Sequence, residues 1–95
     1  MAAYVIVDIE VHDPVRYAQY REMATPTVPA FGGKYVVRGG KVSTLEGTWP
    51  TGRFVVLEFP TAEKARAWWD SDLYRPAKAL RHQTATTKMI LVEGS

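Results

Sequence analysis

The sequence contains no cysteine and only 2 histidines. Without thiols there is no disulfide framework, no thiolate nucleophile and no cysteine-based metal site. Two separate histidines are too few for a typical zinc site. Phosphate loops, GxGxxG, nucleophile elbows and HExxH sequences are absent as well. We therefore predict no bound metal and no cofactor.

No apolar run reaches the roughly 18 residues that a transmembrane helix needs. The N-terminal segment alternates and carries Asp8 and Glu10, and a signal peptide would not carry two carboxylates there. We expect a cytoplasmic protein without membrane contact. The 12 basic and 10 acidic residues give a net charge of +2, which is typical of a mixed-charge surface.

The length of the chain predicts one domain over residues 1–95. A chain this short buries only about 60–65% of the surface that it exposes when unfolded. One modest core results, so part of the stability can be expected to come from a partner.

Hydrophobic periodicity and helix caps predict the secondary structure. The predicted strands are 4–11, 34–38 with a continuation over 41–46 beyond Gly39-Gly40, 53–59 and 86–93. Asp13-Pro14 indicates a helix over about 14–24, which the prolines at 26 and 29 then disrupt. Thr61 caps a second helix, and a short one follows over about 73–81.

The order β-α-β-β-α-β predicts a ferredoxin-like α+β fold. Its sheet is antiparallel with four strands, in the spatial order fourth, first, third, second, and its helices lie on one face. The other face must be polar or be covered by something else.

The uncovered face is predicted to be both apolar and charged. Its expected side chains are Tyr4, Ile6, Asp8, Glu10, Phe54, Val56 and Glu58. This set is too apolar for bare solvent and too charged for a simple core. We therefore predict a homodimer in which this face meets a second copy of the sheet.

Arg38 is predicted to join Asp8 and Glu58 on that face. If Leu45 lies opposite Arg53, then Arg38 and Glu58 are diagonal cross-strand neighbours. An enclosed cluster of this kind could transfer protons. It could also bind a ligand, but the interpretation that the residues favour is an ion-pair network that orients two subunits.

Several other polar and aromatic side chains have a structural and a functional interpretation. Trp49, in the loop over 47–52, either forms a pocket wall or contacts a partner subunit. His12 and His82 are favoured as surface or capping residues. A basic stripe of Arg75, Lys78 and Arg81 is typical of a solvated helix face.

RNA-recognition domains share this order of elements, and their third strand presents aromatic side chains for base stacking. Here Phe54 is present, but Val56 stands where a second aromatic is expected, and the carboxylates of the face would repel phosphate. We predict no nucleic-acid partner. The main prediction is a protein that binds or transforms a small molecule in a pocket at the sheet face or within the dimer barrel. A non-catalytic structural or regulatory dimer is the main alternative.

Six segments in order carry a family resemblance: YVIVDIEVHDP, GGKYVVRGG, LEGTWP, VVLEFP, ARAWWDSDLY and LVEG. They resemble the proteins called domain of unknown function 1330, in the dimeric α+β barrel superfamily. The resemblance implies a ferredoxin-like fold and a homodimer whose sheets face each other. That superfamily contains monooxygenases, haem-degrading enzymes, isomerases and stress-response proteins, so whether the chain is an enzyme stays open.

The same resemblance adds to the candidate site. Arg38, Glu46, Trp49 and Glu58 match motif positions of the family, which attaches no catalytic role to them. Together with Asp8 they are the predicted ligand-binding candidates.

Overall fold

The computed structural model describes residues 1–49 and 52–95, which form four strands and four helices. The strands are β1 (Ala3–Val11), β2 (Lys34–Arg38), β3 (Arg53–Phe59) and β4 (Ala85–Glu93). The helices are α1 (Pro14–Ala24), α2 (Thr27–Ala30), α3 (Ala62–Asp70) and α4 (Arg75–Thr84). None of these helices is long and apolar enough to cross a bilayer.

The strands form one antiparallel sheet in the order β2-β3-β1-β4. This order and the ferredoxin-like arrangement confirm the prediction. In the register, Val5 lies between Leu57 and Leu91, and Ile6 lies between Val56 and Ile90. Because side chains alternate along a strand, the first row faces the helices and the second faces away.

Local capping explains where α1 and α3 begin. The Asp13 carboxylate accepts a hydrogen bond from the Arg16 N–H at 3.2 Å, with proline in the first turn of α1. Thr61 Oγ1 accepts one from the Lys64 N–H at 3.1 Å. Both predicted caps are confirmed. The proline-rich segment after α1 differs from the prediction, because it holds the four-residue helix α2.

The core lies between the sheet and the helices. Its largest member, Trp68, has 2% of its surface exposed. Its ring centroid lies 5.5 Å from that of Phe59 and 4.2 Å from that of Tyr74. Its indole N–H donates to Thr27 Oγ1 at 3.0 Å, so the buried polar atom is satisfied.

The opposite face of the sheet carries none of the helices that the structure describes. The molecule measures 36 × 33 × 16 Å, and its short dimension accommodates one sheet and one helix layer, since packed layers lie about 10 Å apart. Ile90 and Val92 on this face are 58% and 41% exposed. We call this surface the open face.

The predicted continuation of β2 over 41–46 is wrong, because those residues form no strand. Gly39 has a φ of 75°, and its N–H donates to the Phe54 carbonyl at 2.9 Å. The chain turns out of the ladder at this glycine, where a positive φ is accessible. Residues 41–49 instead form an exposed loop; Pro50 and Thr51 of the predicted 47–52 loop lie outside the described residues.

A β-bulge at Val36 changes the side on which Arg38 lies. Tyr35 pairs with Leu57, but Val37 pairs with Val56, so Val36 is an extra residue in β2. Arg38 then pairs with Val55, whose row faces the helices. The predicted pairing of Leu45 with Arg53 is also wrong, because Leu45 lies in the exposed loop over 41–49 and not in a strand.

Candidate functional site

A cavity of about 70 Å³ lies between α1 and the helix-covered face of the sheet. Its floor is aliphatic and comes from three strands: Val7, Ile9, Val55, Leu57 and Met89. Its walls include three tyrosines, two from α1 and one from β2. We call this space the inner cavity.

The tyrosines present neutral phenols to the inner cavity. Tyr17 and Tyr20 have ring centroids 5.3 Å apart, and the hydroxyls of Tyr20 and Tyr74 are hydrogen-bonded at 2.9 Å. Burial raises the pKa of Tyr17, Tyr20 and Tyr35 above the ordinary 10.0. At neutral pH these groups therefore offer hydroxyls rather than negative charge.

Exposed arginines surround the mouth of the inner cavity. The Arg38 guanidinium carbon lies 4.3 Å from the centroid of the Tyr35 ring, and its Nη2 donates to Thr25 Oγ1. The Arg53 guanidinium carbon lies 6.0 Å from the Tyr17 ring centroid. A Cβ on Gly39 would lie 3.3 Å from Arg53 Nε, so the Arg53 side chain passes directly over this glycine.

The lining carries positive charge without a counterion. Besides Arg38 and Arg53 it includes Arg21, and among residues 1–49 and 52–95 no carboxylate contributes to it. The ion pairs found in those residues lie elsewhere, namely Lys34 with Glu58 at 3.6 Å and Arg75 with Asp72. The inner cavity therefore favours an anion at its mouth.

A fourth arginine reinforces this potential from inside the fold. Arg81 is 2% exposed, donates from Nη1 to Thr87 Oγ1, and leaves Nε without a hydrogen-bond partner in the described residues. Its charge lowers the pKa of Tyr17 and Tyr20, against the larger effect of their burial. The prediction that Arg81 lies on a solvated stripe is wrong.

Comparison with known proteins identifies the family. A family model described as Domain of unknown function (DUF1330) matches residues 2–95. The chain belongs to this family. A search of curated proteins finds no match.

Solved structures with low sequence identity share the fold of this DUF1330 protein. A protein of unknown function from Rhodopseudomonas palustris, RPA0582, has 18% identity and a TM-score of 0.78, with 99% of this chain and 82% of that chain covered. A dimeric ferredoxin-like protein from Jannaschia sp. CCS1 has 13% identity and a TM-score of 0.76, with 99% and 100% covered. SnoaB, a cofactor-independent oxygenase from Streptomyces nogalater, has 10% identity and a TM-score of 0.69, with 99% and 93% covered.

The predicted site residues of the DUF1330 chain do not lie together. Arg38 lines the inner cavity, whereas Glu58 lies on the open face in an ion pair with Lys34. The predicted proximity of Arg38 and Glu58 is therefore wrong, because the bulge places them on opposite faces. Asp8 pairs with Phe54, four positions along β3 from Glu58, which corresponds to about 13 Å.

The two loop candidates lie beside the open face, on the loop over 41–49. Glu46 is exposed in the loop over 41–49, and Trp49 has its ring centroid 6.3 Å from that of Phe54. With Val42 and Leu45, this loop borders a groove against Val56 on the open face. Trp49 and Glu46 are therefore placed for contact with whatever covers that face.

Sequence reasoning missed the tyrosines and Arg53. Tyr17 and Tyr20 recur at helical spacing, which predicts an apolar stripe and not a cavity wall. The available signal was chemical: a phenol buried in a core needs a hydrogen-bond partner, so two tyrosines on one helix face indicate polar groups nearby.

The histidines lie apart from the inner cavity. His12 Nε2 is 2.6 Å from Thr86 Oγ1, and His82 is exposed on α4. Partial burial lowers the pKa of His82, and the positive charges of Arg81 and Lys78 lower it further. Within residues 1–49 and 52–95, no three His, Cys, Asp or Glu side chains form a group that could hold a metal ion.

Alkaline pH is expected to destabilise the fold through Tyr20. Above its ordinary pKa of 10.0 the unfolded chain releases this proton while the folded chain retains it, so the free energy of unfolding falls as the pH rises. Tyr20→Phe should make this decline shallower, by an amount approaching about 1.4 kcal/mol per pH unit. Urea unfolding at pH 10, 10.5 and 11 measures the slope.

The same variant at pH 8 provides the reference, because there it reports only the lost hydrogen bond to Tyr74. Wild-type and Tyr20→Phe curves that stay parallel from pH 8 to pH 11 would contradict the assignment of a raised pKa to Tyr20.

Proposed function

We propose that this protein is a homodimer that binds a small organic molecule in the inner cavity. The observation that carries the proposal is the lining itself: an aliphatic floor, phenolic walls and a cationic mouth, with no carboxylate from the described residues. Ligand sites are commonly apolar concavities with a few convergent polar groups, and this one has that composition.

The open face supports the dimer. Its centre is apolar, with Val56 on β3, Ile6 on β1 and Ile90 on β4 side by side. Apolar patches that polar residues flank are typical of protein–protein contact surfaces. The loop over 41–49 projects a further hydrophobic residue, Leu45, which is 97% exposed. The Jannaschia protein of the same fold is described as dimeric.

Charged side chains at the border of the patch suit an interface between identical copies. Asp8 lies beside Lys88, and Glu58 is paired with Lys34, so both signs flank the apolar centre. We assign Arg38 to the ligand and the other candidates, Asp8, Glu46, Trp49 and Glu58, to the subunit interface. In this assignment the second copy covers Trp49 and the groove beneath the loop.

Catalysis is not part of the proposal. SnoaB is a cofactor-independent oxygenase, but a likeness at 10% identity supports the fold and not its reaction. The tyrosines and arginines described above explain binding and orientation. A structural or regulatory dimer without a ligand is the competing function.

Ligand-induced thermal stabilisation across a library of small metabolites tests the binding function. We expect at least one compound to raise the melting temperature of the wild type. Met89→Trp, which fills the inner cavity from its floor, should abolish the response. Glu58→Gln on the open face should leave it unchanged and is the matched control.

The competing function predicts a different outcome. If no compound stabilises the wild type, or if Met89→Trp responds as the wild type does, the inner cavity is not a ligand site. A structural or regulatory dimer then becomes the better interpretation.

A further inference from the structure

Resting on the proposed function, we propose that the inner cavity selects an aromatic carboxylate with a single ring. The carboxylate would lie between Arg38 and Arg53 at the mouth, and the ring would lie against Tyr17 and Tyr35. Three features carry this inference: the arrangement of the arginines, the aromatic walls and the volume.

The arginines at the mouth of the inner cavity are held in defined positions by neighbouring groups. Exposed arginines alone would say little, because solvent screens them. Arg38, however, is held by stacking on Tyr35 and by a hydrogen bond to Thr25, and Arg53 passes over Gly39, the residue next to Arg38. Behind them Arg81 is buried, and none of the carboxylates described in the structure lies within ion-pair distance of it.

Guanidinium groups at the mouth suit a carboxylate. Each offers a planar fork that matches the two oxygens of a carboxylate or a phosphate. The favoured anion is the carboxylate, because the lining combines these forks with apolar and phenolic groups and includes no lysine among the described residues. Phosphate sites, in contrast, are commonly built from glycine-rich loops at helix N-termini.

The walls favour an aromatic ring behind the anionic group. Tyr17 and Tyr20 stand tilted at 37° to each other, and the floor beneath them is aliphatic. Aromatic rings pack well against tilted or offset rings. The phenolic hydroxyls can donate to a polar substituent on the ring.

The volume limits the ring count. An enclosed cavity that binds benzene measures about 150 Å³, and the inner cavity measures about 70 Å³. The inner cavity thus encloses less than one benzene ring, so in this proposal a single ring would lie partly in the open mouth, with its carboxylate among the exposed arginines. A fused bicyclic ring would leave still more of its surface outside the floor and the walls.

Titration calorimetry with four probes tests the inference: benzoate, benzamide, phenyl phosphate and 2-naphthoate. We expect benzoate to bind at least about tenfold more tightly than the neutral benzamide, as one charged hydrogen-bond pair supports. We expect phenyl phosphate and 2-naphthoate to bind more weakly than benzoate.

Variants that each remove one positive charge locate the anion. Arg53→Gln and Arg38→Gln should each weaken benzoate binding by about tenfold or more and leave benzamide binding unchanged. Arg38→Lys keeps the charge but loses the fork, so it should restore only part of the affinity. Arg66→Gln, on the exposed side of α3, removes the same charge elsewhere and should have no effect. Melting temperatures without ligand verify that each variant is folded.

Several results would overturn the inference. Equal affinity for benzamide and benzoate, or an equal loss in Arg66→Gln and Arg53→Gln, would rule out a defined carboxylate site. Tighter binding of phenyl phosphate or of 2-naphthoate would rule out the carboxylate or the single ring. A neutral library compound that stabilises the wild type but not Met89→Trp, without benzoate binding, would overturn this inference and leave the proposed function standing.

Discussion

Ile90→Lys is expected to convert the proposed dimer into a folded monomer. The side chain is 58% exposed in one protomer, so the substitution leaves the core intact. In a two-fold dimer it would bury two unpaired ammonium groups, because each copy contributes one. Each unpaired buried charge costs on the order of 3 kcal/mol or more, so the two together raise the dissociation constant roughly ten-thousandfold. Light scattering and analytical ultracentrifugation across protein concentrations measure the change.

Val15→Lys is the matched control for that experiment. Val15 lies on the outer side of α1 and is more exposed than Ile90, so the same change there should leave the mass and the dissociation constant as they are. A wild-type mass that is monomeric at micromolar concentration would contradict the dimer. So would an Ile90→Lys variant that dimerises as tightly as the wild type.

Trp68→Ala is expected to lower the free energy of unfolding by about 3–5 kcal/mol. The substitution removes a ring that packs on Phe59 and Tyr74, and it removes the indole N–H that donates to the buried Thr27 hydroxyl. For a domain of this size the melting temperature should fall by more than about 10 °C. Thermal and urea unfolding followed by far-ultraviolet circular dichroism measure the effect without relying on the lost fluorophore.

The neighbouring tryptophan is a natural control, since it lies on the same helix and differs only in its environment. Trp69 is 42% exposed and packs under Lys78, whose ammonium lies 3.7 Å from the ring centroid. Trp69→Ala should cost only about 0.5–1 kcal/mol. Equal losses in the two variants would show that Trp68 is not the centre of the core.

The fold could be predicted because it depends on patterns of period two and on caps. Alternation placed β1 and β3 correctly, and Asp13 and Thr61 marked the helix starts. The strand order followed from the handedness of the crossovers, and not from any single residue.

The candidate site could not be predicted in the same way. Its position depends on a bulge in an edge strand, and nothing in the composition of Tyr35-Val36-Val37 distinguishes a bulged strand from a regular one. The diglycine that follows suggested a bend within a longer strand, whereas Gly39 ends β2. The inner cavity also exists because side chains from several elements together do not fill the space between α1 and the sheet. No local sequence pattern records how side chains from different elements pack.

Arg81 illustrates a different limit. Spacing along α4 groups it with Arg75 and Lys78, but it lies one turn from the helix end, where it reaches under the helix to Thr87 on β4. Helical periodicity tells which residues share a face. It does not tell where along the helix that face stops being solvated.

The extra residue in β2 has a consequence for how proteins of this fold can diverge. If Val36 paired with Val56 in a regular ladder, unbroken alternation would place Arg38 opposite Phe54 on the open face and Val37 opposite Val55 beside the inner cavity. A switch between bulged and regular pairing at one edge-strand residue thus exchanges a cation and an aliphatic group between two compartments, while the core strands stay as they are. Ligand charge preference can in this way be rewritten by a change in register, with every residue of the cavity floor unchanged.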